Sequence, residues 1–413
     1  MRGGNRRAPS RNQGYLTSET AYDTDLARAP SAWSAVFCLS LLTFVLVASE
    51  FMPVSLLTPI AADLGISEGQ AGQAISISGI FAVLTSLFGN VLLARFDRRT
   101  VVLIYTGLLV ASGLTVTFAP NYFLFMVGRA LIGISIGGFW SLSTAILARV
   151  VVSEDLPKAI AMLQGGTAFA SVIAAPLGSF LGGIVGWRGA FFIVVPIGVL
   201  AMTWQLAVLP RMPAREATSV GRMFALLNNR VFALGMAATT LAFMGQFSVY
   251  TYLRPFLENV TGLKVTTLSA ALLALGLAGL VGTSVVGFAL RSRLGAVLVG
   301  LPAMLAVIAV LLIVLGPYSI PVAGLLILWG LLTTPIPVSW NTWMTRVIPG
   351  DLEAGGGLQV ALIQFAITFG AFGGGLLYDG AGWWAPFVLG ACLLGGSAML
   401  ALSAAASLRR GHP

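Results

Sequence analysis

The sequence predicts an all-α membrane protein in which twelve transmembrane helices form two pseudo-symmetric six-helix bundles. Three observations carry that expectation. Of the 413 residues, 57% are hydrophobic and only 9% charged, with a mean hydropathy of +0.94, which excludes an ordinary soluble domain. Apolar windows of about 20 residues recur along the chain, each able to cross roughly 30 Å of hydrocarbon as a helix. The basic residues fall into alternate loops. A β-barrel would show short alternating segments instead, and the sequence has none.

Residues 1–32 carry Gly, Ser and Arg without an apolar core, so they read as a disordered cytoplasmic tail rather than a signal peptide. Spans near 34–61, 70–94, 100–118, 121–148, 158–184 and 187–209 make an N-terminal bundle over 33–209. The polar stretch 210–230 reads as a cytoplasmic central loop. Spans near 231–254, 266–290, 295–315, 321–345, 355–378 and 383–407 make a C-terminal bundle over 231–408, followed by a cytoplasmic end at 409–413. Ser67-Glu68-Gly69-Gln70 fits a capping box opening span 2. Pro53, Pro59, Pro176, Pro196, Pro335 and Pro337 interrupt spans, which membrane helices tolerate when neighbours re-satisfy the freed carbonyls. Gly178, Gly186-Trp187 and Phe191 recur 196 residues later as Gly374, Gly382-Trp383 and Phe387, favouring two related halves with a solute site between them.

Of the 23 lysines and arginines, 19 fall on one side of the membrane, in the tail, the C-terminus and the loops near 95–99, 149–158, 211–230, 291–293 and 346. Arg188, Arg254 and Lys264 fall on the other side, and Arg129 lies within a span. That asymmetry places both termini in the cytoplasm and makes the number of crossings even. The net charge of +9 is therefore topological, and no nucleic-acid partner is expected.

Among fourteen Asp and Glu residues, Glu50 alone falls deep inside an apolar stretch, 37–60. A charge at that depth costs roughly 2.5 to 3.5 kcal/mol on insertion scales, so the group stays protonated or finds a partner. Either state suits proton or substrate handling; the alternative is a neutral Glu hydrogen-bonded to a neighbouring helix. In span 4, Arg129, Gly133, Ile136, Trp140 and Thr144 share one stripe. Arg129 keeps its proton, so it needs a carboxylate, carbonyls or water, unless it snorkels to the interface. Cys38 and Cys392 lie inside spans and read as packing residues. The single histidine, His412, leaves no metal cluster or Ser/His/Asp set, and no phosphate-binding loop is present. Neither an enzyme, a cofactor nor an ATP-driven pump is expected.

The loop after span 2 reads Arg95-Phe96-Asp97-Arg98-Arg99, and its Arg-Phe-x-Arg-Arg pattern resembles the cytoplasmic loop signature of the major facilitator superfamily. Ala94 stands where that pattern has an acid, and Asp97 where it has a glycine. Arg129 with its following glycines resembles the superfamily's fourth-span motif, and Ala175-Pro176-Leu177-Gly178 its antiporter motif. The runs Ala48 to Ala61, Glu68 to Ile75, Gly137 to Ser141 and Gly186 to Phe192 narrow the resemblance to the drug:proton antiporter-1 type, nearest the purine ribonucleoside efflux pumps. It covers residues 34–260 strongly and the second half more loosely.

The resemblance implies the major facilitator fold and proton-driven export of purine nucleosides such as inosine and guanosine, and of purine analogues. A multi-pass monomer in the inner (plasma) membrane is expected, with protons, a small-molecule substrate and the bilayer as partners. Glu50 is expected to take the proton, with Arg129 tuning it. A nucleoside needs aromatic faces and hydrogen-bond partners. Trp140, Ser141, Thr144, Gln164, Gln246, Tyr250, Trp340, Asn341 and Gln364 offer them, whereas packing is the other reading of each. Arg95, Asp97, Arg98 and Arg99 form the expected conformational loop. Sugar or multidrug efflux by the same scaffold is the alternative within transport, and a membrane sensor or receptor the alternative outside it.

Overall fold

A computed structural model describes residues 32–93, 95–152, 154–213 and 220–410. Residues 1–31 of the expected tail, Ala94, Ser153, residues 214–219 of the expected central loop and residues 411–413 lie outside the described residues. Among the described residues the chain is helical and contains no strand. Span 1 is Trp33–Leu64, span 2 Glu68–Leu92, span 3 Arg98–Thr117 and span 4 Tyr122–Val150. Spans 5 and 6 run through Leu156–Phe192 and Val194–Val208, turning at Gly186. Span 7 is Arg230–Thr251 continued by Leu253–Asn259. Val265–Leu315 holds spans 8 and 9, broken at Arg293. Span 10 is Ser319–Thr333 with Pro335–Val347, span 11 Leu352–Ala381 and span 12 Ala385–Arg410. Eleven of the described helices are long and apolar enough to cross a bilayer; one of them, 158–208, contains two crossings, giving twelve.

Two apolar cores separate along the chain. One joins residues from Ala35 to Met212, the other residues from Phe232 to Ala404, and few side chains cross between them. Phe123, Phe288, Ile320 and Met399 are among many large apolar side chains exposed on the outside, a surface that lipid solvates and water does not.

The internal repeat has a conformational basis. Gly186 (φ 74°, ψ 167°) and Gly382 (φ 103°, ψ 177°) both occupy a region open essentially to glycine alone. Each turn is followed by the same aromatic pair, Trp187 edge-on to Phe191 at 6.3 Å and Trp383 edge-on to Phe387 at 6.4 Å. Close packing is paired too. A Cβ at Gly133 or Gly137 would strike the span 2 backbone at Ser78 or Ala82, and one at Gly330 would strike Leu275 in span 8.

The halves meet at the end carrying the 1–2 and 11–12 loops. There Asp379 of span 11 accepts from Ser67 Oγ at 2.6 Å and from the Gly69 amide at 3.1 Å, so a residue of one bundle caps a helix of the other. Tyr378 donates to Glu68, and its ring stacks on Tyr252 at 5.3 Å. At the opposite end of span 2, Leu84, Phe88 and Leu92 are exposed.

Candidate transport site

The site begins with a defect in span 1. Proline has no N–H, so Pro53 frees the carbonyl of Ser49 and loosens the next turn. Arg129, fully buried in span 4, fills that gap: Nη1 donates to the Ser49 carbonyl at 2.8 Å and Nη2 to the Glu50 carbonyl at 2.9 Å. Its Nε donates to the Ala74 carbonyl in span 2 at 3.2 Å, and Nη2 also reaches Ser78 Oγ at 3.3 Å. Arg129 thus does not snorkel. Its hydrogen bonds end on neutral oxygens, and the dipoles of three carbonyls solvate the cation where water is absent.

That clamp presents the Glu50 side chain to the opposite bundle. Glu50 is 5% exposed, and its Oε1 accepts from Gln364 Nε2 of span 11 at 3.2 Å. Beside it Phe51 stacks on Phe247 of span 7 at 5.5 Å, and Tyr250 meets Phe247 edge-on at 6.0 Å. Gln246 is buried with its Nε2 unpartnered among the described residues, as is the Nε2 of Gln359. A carboxyl group, the Gln364 amide and three aromatic rings from spans 1, 7 and 11 therefore meet where the halves touch. Such a set can bind a flat polar solute and exchange a proton.

The other expected residues spread more widely. Trp140 is half-buried and edge-on to Phe139, Ser141 Oγ donates to the Gly138 carbonyl at 2.8 Å, and Thr144 is exposed. Gln164 and Asn341 are exposed. Trp340 is 1% exposed and packs edge-on against Trp343 at 5.4 Å in the C-terminal core. Phe51 and Phe247 were not anticipated, because a phenylalanine in an apolar run carries no pattern that marks a midplane stack. Arg254 differs as well. Expected on the outer side at the end of span 7, it is 5% exposed, buried against span 1 and paired with Glu258 at 2.8 Å.

A family model described as Major Facilitator Superfamily matches residues 39–356. The chain belongs to the major facilitator superfamily. It is 49% identical over 380 residues to the transcription regulatory protein OpdE of Pseudomonas aeruginosa, covering 91% of this chain and 94% of that one. It is 42% identical over 377 residues to the purine ribonucleoside efflux pump NepI of Salmonella enteritidis, with the same coverage. Among solved structures, a bacterial homolog of the human lysosomal transporter Spinster, inward-facing and unoccupied, superposes with a TM-score of 0.68 at 14% identity, covering 92% and 96% of the two chains. The twelve-span superfamily fold is thereby shown, and the chain is a multi-pass membrane transporter by family.

In this superfamily member the loop between spans 2 and 3 has a local role for the unusual Asp97. Its Oδ1 caps span 3 through the Arg99 amide at 2.9 Å, while Oδ2 accepts from the Met212 amide at 2.8 Å. The Arg98 amide returns a bond to the Met212 carbonyl at 2.9 Å, and Arg149 donates to the Pro213 carbonyl at 2.7 Å. Arg99 donates to the Leu206 carbonyl, and Arg95 is exposed. The start of the central loop is thus stitched to the N-terminal bundle.

Proposed function

We propose that the protein is a proton-coupled antiporter that exports small organic solutes, purine ribonucleosides and purine analogues foremost, as an inner-membrane monomer with both termini in the cytoplasm. One observation carries the reading: the carboxyl of Glu50 in one bundle hydrogen-bonds Gln364 in the other. A solute entering that contact competes for the same Glu50 oxygen, and a proton arriving there removes the charge the solute would meet. Proton and solute then occupy Glu50 in turn, which is what antiport requires. The aromatic pair Phe51 and Phe247 offers a base-sized stack, and Gln246, Gln364 and Tyr250 offer partners for ring nitrogens and hydroxyls. The purine class is supported by the likeness to the named nucleoside pump.

The test is flux in proteoliposomes under an imposed proton gradient, with radiolabelled inosine compared against arabinose and a cationic dye. Gradient-driven inosine movement supports the reading. Movement of the dye or of arabinose alone would move the assignment to drug or sugar efflux while leaving the scaffold in place.

A second reading, a membrane-bound regulator, is favoured by the name of the Pseudomonas relative. The two separate on one comparison. In cells, Glu50→Gln should abolish efflux and, with it, any transcriptional response that merely reports internal solute. A regulator would keep its effect on transcripts without any flux in liposomes.

A further inference from the structure

Span 1 carries two prolines, and each frees a carbonyl four residues earlier: Pro53 that of Ser49, Pro59 that of Ser55. The first is taken by Arg129 from the same bundle. The second is taken by Nη1 of Arg254, from span 7 of the opposite bundle. We propose that Arg254 is the positioning residue that latches the outer end shut, by completing the span 1 backbone at Ser55 only while the bundles are together.

The surroundings fit a latch. Arg254 is 5% exposed, and two more of its donors are held by one carboxylate oxygen, Nε at 3.0 Å and Nη2 at 2.8 Å from Glu258 Oε1. Glu258 lies one turn further along span 7, so it travels with Arg254 and fixes the guanidinium plane in both states. What changes on opening is the Ser55 carbonyl. Separated from Arg254, it faces an interior that offers it no helical N–H, because residue 59 is proline. Arg129 meets no such change, since spans 1, 2 and 4 move as one bundle. One helix thus holds a permanent staple at Ser49 and a conditional one at Ser55. The Asp379 cap on span 2 is a second contact at that end, and it does not depend on Pro59.

The inference rests on membership of a transporter family and holds whichever solute is carried, so it is tested without substrate. In the full chain with Cys38→Ala and Cys392→Ala, spin labels are placed at Pro120→Cys and Tyr318→Cys. Both positions are exposed at the outer end, one on each bundle. Pulsed electron resonance in liposomes then reads the outer separation. The parent should give mainly the short distance. Pro59→Ala restores an N–H for Ser55 and leaves every side-chain donor in place. It should raise the long-distance population by about five-fold, the ratio set by one hydrogen bond of ordinary net strength. Arg254→Gln should do the same, Arg254→Lys should reverse part of the shift, and combining Pro59→Ala with Arg254→Gln should add nothing further. If Arg254→Gln fails to fold, Pro59→Ala still decides. An unchanged distance distribution in Pro59→Ala, or full addition of the two changes, overturns the latch. Loss of inosine flux with normal distances would count against the nucleoside reading alone.

Discussion

Replacing Arg129 by leucine removes the donors that complete span 1, and its cost follows from what is left behind. The Ser49 carbonyl is left bare, and the Glu50 and Ala74 carbonyls lose their side-chain donor. A buried polar group left unsatisfied costs about 1–3 kcal/mol, and removing a fully desolvated cation returns part of the sum. A net loss of about 3–5 kcal/mol is expected, the range seen when a buried charged network is broken. Pro53→Ala supplies an N–H to the Ser49 carbonyl. With Arg129 present that carbonyl is already satisfied, so Pro53→Ala alone should change little. In the Arg129→Leu background it should recover about 1–3 kcal/mol. Reversible unfolding in mixed detergent micelles of the parent, both single variants and the double variant gives the coupling energy directly. Additivity within about 0.5 kcal/mol would refute the idea that Arg129 stands in for the missing proline amide.

Glu50→Gln keeps the hydrogen bond to Gln364 but holds no exchangeable proton, so gradient-driven inosine export should vanish while inosine–inosine exchange persists; full export in the variant would relocate the coupling. Trp340→Ala opens a cavity in the C-terminal core and should cost about 3–5 kcal/mol in the same unfolding assay, with little change in solute preference among the molecules that remain folded. Gly186→Ala and Gly382→Ala each force a side chain into a glycine-only conformation and should cost about 1–3 kcal/mol apiece, by similar amounts if the two turns are equivalent. Tyr318→Cys should react with an impermeant thiol reagent only from outside whole cells and Arg95→Cys only from inside, and labelling of both from outside would overturn the orientation.

The spans, their loops and the repeat were legible because each rests on local signals: a 20-residue apolar window, a glycine before a tryptophan, an arginine in every second loop. Glu50 was legible for the same reason, as a lone acid among apolar neighbours. Gln364 stood among the candidates, but its pairing with Glu50 was not legible, since it lies 314 residues away and looks like several other glutamines until the bundles are placed together. Trp340 illustrates the opposite failure. A tryptophan beside serine and asparagine suggests a binding face, yet the helix turns the indole into the core and leaves Asn341 exposed. The burial of Arg254 was not legible, because an arginine near a span end ordinarily reaches water. The Glu258 carboxylate and a carbonyl bared by the proline of another helix together make its burial favourable.

The incomplete backbone of span 1 also constrains how the protein is made. Its hydropathy is ample for insertion as soon as it leaves the ribosome. Yet the donor for Ser49 is encoded 80 residues later and the donor for Ser55 199 residues later. At about 5–20 residues per second, the first arrives roughly 4–16 s after the carbonyl it serves, and the second roughly 10–40 s after. Over that interval the nascent helix carries two bare carbonyls and an acidic side chain. An insertase groove or neighbouring water must shelter them until translation delivers the arginines, so span 1 enters the membrane first and finishes folding last.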